Sequence, residues 1–259
     1  GDGPFPAIVI VHGSGPGDRD GTVAANKPYK DLALGLASKG VAVLRYDKRS
    51  KVHGPRMAAR PGMTVMDETI DDAIGGLALL REQPKIDAAR VFVLGHSLGG
   101  TLVPRIAAAD PRLAGAIVMA GAARPPEDAV LEQMKHIANA DGTVSAEEQR
   151  NIDGFVKIAA AIKALTPADA ASGTPIFNAP PSYWLDLKGY DAPSAAKAIA
   201  VPLLVLQGQR DFQVTMDDFA RWNTALAGRP RVTFKSYPGL NHLFVAGTGT
   251  SLPAEYESP

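Results

Sequence analysis

Short apolar runs separated by longer amphipathic stretches set the frame of this chain. The runs are Ala7–Val11, Val41–Tyr46, Val91–Leu94, Ala116–Met119, Leu203–Leu206 and Arg231–Tyr237. Most are apolar throughout instead of alternating, which predicts strands buried on both faces of a parallel sheet. Between them, helical periodicity covers Tyr29–Ser38, Asp67–Glu82, Leu98–Ala109 and Met216–Leu226. Thr64-Val65-Met66-Asp67 reads as a capping box opening the second of these helices. Alternating strands and helices predict right-handed crossovers and an α/β fold with a doubly wound, mostly parallel sheet.

One segment breaks the rhythm. From the run ending at Met119 to the run starting at Leu203 there is no strand pattern. Glu127–Ala138 and Ser145–Leu165 read as amphipathic helices, the second opened by Ser145-Ala146-Glu147-Glu148, and a proline-rich stretch spans Pro175 to Pro193. A stretch this long inside a compact domain is usually functional or has structure of its own. It reads as a helical cap inserted over the carboxyl ends of the strands, against the alternative of a helical layer packed elsewhere. The expected division is a core of residues 1–122 and 199–259 interrupted by a cap of residues 123–198. Tyr183, Trp184 and Leu185 form a dense apolar cluster in the cap, suited either to lining a pocket or to anchoring the cap.

Composition narrows the classes. The 259 residues suffice for a large single core. Lys and Arg number 27, and so do Asp and Glu, so no net charge points to nucleic acid or an anionic membrane. There is no cysteine, which removes disulfide and thiolate chemistry. No apolar stretch is long enough to span a bilayer. The chain begins with Gly and runs almost at once into a strand, so the start looks trimmed. The expectation is a soluble chain, cytoplasmic or exported.

The chemistry begins at Gly95-His96-Ser97-Leu98-Gly99, a G-x-S-x-G pentapeptide between the run at Val91–Leu94 and the helix at Leu98–Ala109. Such a turn strains the serine, requires small neighbours and aims the hydroxyl out of the sheet. On its own it is equally an ordinary tight turn. A serine nucleophile needs a base and an acid to orient that base, in chain order Ser, Asp/Glu, His. Asp211 follows the run at Leu203–Leu206, and His242 is the sole histidine after it. Asp186, Asp191, Asp217 and Asp218 compete for the acid's role. Oxyanion donors should be the N–H of Leu98 and an N–H from His12-Gly13-Ser14-Gly15-Pro16-Gly17, with Ser14 the first choice and Gly13 the next. His12 reads as a residue shaping that loop, and His96 as one that packs or hydrogen-bonds beside the turn. Gly13, His96, Tyr183 and Trp184 are the candidate substrate-binding positions. No metal, nucleotide or cofactor motif is found.

Together, "HGSGPGDRDG" (12–21), "KDLALGLASKGVAVLRYDKR" (30–49), "GHSLGG" (95–100), "PLLVLQGQRDFQV" (202–214) and "YPGLNHLF" (237–244) resemble the α/β-hydrolase superfamily. More narrowly, they look like bacterial carboxylesterases on the branch near dienelactone hydrolases and prolyl-oligopeptidase catalytic domains. The resemblance implies an α/β-hydrolase fold and cleavage of a small-molecule carboxylic ester. It makes Ser97 the nucleophile, His242 the base, Asp211 the orienting acid, and Leu98 and Ser14 the oxyanion donors, with no cofactor. A serine peptidase, an acyltransferase and a non-catalytic binding module are the competing readings. Such folds usually carry two further strands before the first run here and a helix after the histidine loop. The expectation is that the native polypeptide extends at both ends, or that a partner chain such as a second copy covers the exposed edge at Val41–Tyr46.

Overall fold

The computed structural model describes residues 2–58, 60, 62–171 and 174–258. Six strands form one sheet: β1 (Phe5–Val11), β2 (Ala42–Leu44), β3 (Ile86–His96), β4 (Gly115–Met119), β5 (Leu203–Gly208) and β6 (Val232–Tyr237). Their order is β2-β1-β3-β4-β5-β6, and each neighbouring pair is parallel. The order reverses between β1 and β3. Open sheets of this kind bind ligands at such a switch point, outside the strands' carboxyl ends. There the loops after β1 and β3 separate, one carrying Ser14 and the other Ser97.

The apolar runs serve both faces. Ala7, Val9 and Val11 point into a core shared with Leu77, Leu102, Ile106 and Trp222. Ile8 and Ile10 point to the opposite face, packing with Tyr29, Leu94 and Met119 and with Leu32 and Leu36. Helix α1 (Pro28–Ala37) covers this second face, while α3 (Asp71–Arg81) and α4 (Leu98–Ala109) belong to the first. This two-sided burial is why β1 is apolar at successive positions.

The structure departs from the sequence pattern in several places. The second strand ends at Leu44, two residues short of the apolar run. Beyond it the chain is held by other partners: the Arg45 guanidinium pairs with Asp20, and the Tyr46 carbonyl lies 2.6 Å from His12 Nε2. Helix α2 (Arg49–Ala58) has no counterpart in the pattern, because Gly54 and Pro55 interrupt it and the backbone kinks at His53. The helix expected from Asp67 opens instead as one π-helical turn, Met66–Ile70, before α3. That wider turn buries Glu68, Thr69 and Ile70.

Among the described residues, four α-helices separate β4 from β5: α5 (Pro126–Ala138), α6 (Ala146–Ala164), α7 (Pro181–Leu187) and α8 (Ala192–Ala196). The Ser145 and Glu148 side chains close a reciprocal capping box on α6. The proline-rich stretch contains α7 and α8, each with a proline in its first turn, a position that leaves no helical hydrogen bond unmade. These two helices bury Tyr183, Trp184, Leu187, Ala192 and Ala196 in the same core as the sheet. Helix α9 (Met216–Ala225) follows β5. No helix among the described residues is long and apolar enough to cross a membrane.

Candidate active site

Ser97 sits between β3 and α4 with φ 56° and ψ −122°. A non-glycine residue at positive φ is strained, and such strain collects at functional sites. The strain is imposed by backbones packed too closely for side chains. A Cβ on Gly95 would lie 2.1 Å from the Gly99 carbonyl oxygen, and one on Gly99 would lie 2.5 Å from that of Val11. Glycine at both positions lets the end of β3, the start of α4 and the end of β1 converge on one point. The Ser97 N–H donates to the Met119 carbonyl at 3.0 Å, fixing the turn to β4.

Asp211 and His242 are brought together across 31 residues of sequence. His242 Nδ1 lies 2.7 Å from Asp211 Oδ2, and both side chains are buried. The remaining contacts of the Asp211 carboxylate are also with donors: Gln207 Nε2 at 3.0 Å and the N–H groups of Gln213 and Val214 at 2.8 and 2.9 Å. The His242 loop is braced by Asn241, whose side-chain oxygen accepts from the N–H groups of Leu243 and Val245. The other candidate acids have different partners. Asp186 pairs with Arg105, Asp191 caps α8, Asp217 lies in the first turn of α9, and Asp218 binds Arg124 and the Thr215 N–H.

His96 links the three loops. Its Nδ1 is 3.0 Å from the Tyr29 hydroxyl, and its Nε2 is 2.9 Å from the His242 carbonyl. The Tyr29 oxygen in turn accepts the Gly13 N–H at 3.2 Å. The directions follow from chemistry. A carbonyl can only accept, so Nε2 carries the proton and Nδ1 accepts from the tyrosine. Burial pushes the His96 pKa down to about 3, aided by nearby His242, so the ring stays neutral at neutral pH. Burial pushes Tyr29 up to about 12, which keeps its phenol protonated as a donor. His12 shapes the loop after β1: its ring meets Tyr29 and Tyr46 edge-on and leaves no room for a side chain at Gly17.

Ser14, Ser97 and Leu98 line one cavity of about 560 Å³. Among the described residues the Ser14 N–H has no protein acceptor. The Leu98 N–H is the first of α4 and has no intrahelical partner. Gly13 and His96 are not on the cavity wall. The Gly13 N–H is taken by Tyr29, and both His96 nitrogens are engaged with protein partners. Tyr183 and Trp184 are on the wall, with Met57, Met63, Val130 and Phe177 among the apolar residues around them. Glu68 and Arg124 are its two charged residues, and each is neutralised by protein. Glu68 meets Lys48 at 3.0 Å, and Arg124 is bound by Asp218 and Glu132.

A family profile described as serine aminopeptidase, S33, matches residues 4–247. The chain belongs to this α/β-hydrolase family. Among curated relatives, it is 41% identical over 256 residues to Esterase EstD of Thermotoga maritima. That match covers 99% of this chain but 58% of the relative, so the chain spans a little over half the relative's length. Two solved structures share the fold. The α/β hydrolase GrgF from Penicillium sp. sh18 superposes with a TM-score of 0.60 at 18% identity, covering 92% of this chain and 83% of its own. Est1E from Butyrivibrio proteoclasticus gives 0.59 at 16% identity, covering 94% and 82%.

Three residues around the site had no assigned role in the sequence: Tyr29, Lys48 and Glu68. Tyr29 opens the helix predicted over Tyr29–Ser38, and only the fold puts its hydroxyl between Gly13 and His96. Glu68 falls within the helix predicted over Asp67–Glu82, and nothing local in the sequence joins it to Lys48. A lysine two residues after the apolar run Val41–Tyr46 is the one available hint.

Proposed function

We propose that the chain is a serine hydrolase that cleaves carboxylic esters through an acyl-enzyme. Ser97 attacks the ester carbonyl while His242 Nε2 accepts its proton, and Asp211 holds the imidazole with Nδ1–H directed at the carboxylate. The N–H groups of Leu98 and Ser14 receive the oxyanion. His242 then protonates the leaving alcohol, and water repeats the sequence to release the acid. The observation that carries this reading is the buried 2.7 Å contact of Asp211 with His242, whose backbone carbonyl is bound by His96, the residue directly before the strained Ser97. The 41% identity to an esterase supports it. Within the superfamily, the motifs quoted above favour the branch near dienelactone hydrolases and prolyl-oligopeptidase catalytic domains.

The cavity favours esters over amino-terminal peptides. Recognition of a substrate ammonium calls for an unpaired carboxylate, and Glu68 is already surrounded by Lys48, Ser50, Thr69 and Tyr183. The remaining wall is largely apolar and suits an acyl chain. The helices between β4 and β5 supply much of that wall and act as a cap that limits acyl length.

The test is a series of p-nitrophenyl esters of graded acyl length beside an aminoacyl-nitroanilide, with fluorophosphonate labelling. Ester turnover with Ser97 labelled is the expected result. Ser97→Ala should lower turnover on the order of a million-fold and abolish labelling. Asp211→Asn should lower it roughly ten-thousand-fold. Preferential nitroanilide cleavage, or labelling at another serine, would overturn the assignment.

A further inference from the structure

A buried ion pair stands directly behind the loop that carries Ser14. Lys48 is 1% exposed and Glu68 is 5% exposed, with Lys48 Nζ 3.0 Å from Glu68 Oε1. Burying such a pair costs desolvation that its mutual attraction often fails to recover, and apolar residues of similar volume frequently serve the fold as well or better. The pair therefore calls for an explanation other than packing. The remaining ammonium contact supplies one: Lys48 Nζ donates to the Gly13 carbonyl at 2.9 Å.

The Gly13 carbonyl and the Ser14 N–H belong to one peptide group. In a planar trans peptide they point in opposite directions. A donor that fixes the carbonyl on one side thereby fixes the N–H on the other. Several further contacts hold this loop. The Gly13 N–H is anchored on Tyr29, the Lys48 N–H donates to the Gly17 carbonyl at 2.9 Å, and a side chain on Gly13 would crowd Ser97 Cβ at 3.1 Å. Hydrogen bonds in series polarise one another, and a charged donor does so more strongly than a neutral one.

We propose that Lys48, held by Glu68, is a positioning residue that orients the Gly13–Ser14 peptide and strengthens its N–H as an oxyanion donor. The ammonium does not touch substrate. It acts through one peptide group, and its charge is returned to neutrality by Glu68 so that it does not draw anions into the cavity. Glu68 is in turn held by the Ser50 hydroxyl at 2.7 Å, Thr69 at 3.1 Å and Tyr183 at 3.3 Å. The π-helical turn at Met66–Ile70 is what brings its carboxylate inward, in keeping with the frequent use of such turns at functional sites. The proposal rests on the reading of Ser97 as nucleophile and Ser14 as oxyanion donor.

Lys48→Met alone would leave Glu68 unpaired in the interior, so the test uses two double variants, K48M/E68Q and K48M/E68M. Both remove the charges and keep the volume. Each is assayed for melting temperature, for fluorophosphonate labelling at Ser97 and for kcat and KM on p-nitrophenyl butyrate. The carbonyl stretch of the acyl-enzyme formed with 13C-labelled cinnamoyl imidazole is measured by difference infrared spectroscopy. The expected result is a folded protein labelled at Ser97, with kcat lower by about 10- to 100-fold and KM within about twofold, since losing a donor outright costs more than weakening one. The carbonyl stretch should move to higher frequency, which a purely structural pair would not cause. An unchanged kcat and carbonyl frequency in a folded double variant would overturn the proposal. So would failure of both variants to fold, since the pair would then be a requirement of the fold. Wild-type labelling away from Ser97 would instead remove the reading on which the proposal rests.

Discussion

Acidification tests the buried His96 directly. In the unfolded chain this ring titrates at its ordinary value of 6.5, and in the folded protein burial beside His242 lowers it to about 3. Between those values the unfolded chain binds a proton that the folded protein does not. Stability contributed at neutral pH is therefore lost progressively as pH falls below 6.5, and the loss levels off near pH 3. At pH 4 this one residue accounts for about 3 kcal/mol, because each unit of difference is worth about 1.4 kcal/mol and about 2.5 units have been crossed. That is a large share of the roughly 5–15 kcal/mol that holds a typical domain together. In urea titrations it corresponds to a midpoint lower by roughly 1 M at pH 4 than at pH 7. Carboxylates contribute their own acid loss, so the comparison is with His96→Asn, which has no proton to gain. The wild type should show the steeper dependence between pH 6.5 and 4. Ring 15N shifts should keep His96 in the neutral Nε2–H form throughout that range. A His96 that titrates between pH 5.5 and 7, or parallel curves for the two proteins, would refute both the burial argument and the proton directions assigned to the Tyr29–His96–His242 chain.

Two further substitutions probe the cavity and the turn. Trp184 lines the cavity and also donates its indole N–H to the Ile176 carbonyl at 2.8 Å. Trp184→Ala should cost about 3–5 kcal/mol and move ester preference toward longer acyl chains; equal loss on every chain length with a lower melting temperature would leave it an anchor alone. Gly99→Ala places a Cβ 2.5 and 2.6 Å from the carbonyl oxygens of Val11 and His12, which are backbone and cannot rotate away. It should destabilise by at least about 1–3 kcal/mol and abolish ester turnover, and a melting temperature within a degree of wild type would contradict the close packing of β1 against α4.

The sequence by itself determined what repeats locally. Short β-branched and aliphatic runs between longer helical patterns announce strands, so all six were legible, as was α4 from its first residue to its last. The candidate site was legible for a related reason. Ser97, Asp211 and His242 each follow a recognisable strand, and strand ends converge in a parallel sheet whatever the loops contain. What lacked a local signature was left to the tertiary structure. Helix α2 is hidden by Gly54 and Pro55, and α7 and α8 by the prolines that begin them. The union of Tyr29 with His96, and of Lys48 with Glu68 and the Gly13 carbonyl, spans 67, 20 and 35 positions of sequence. Such pairings follow no period. They depend on how elements stack once the core has formed, and a buried polar atom finds its partner only where the packed backbone leaves one within reach.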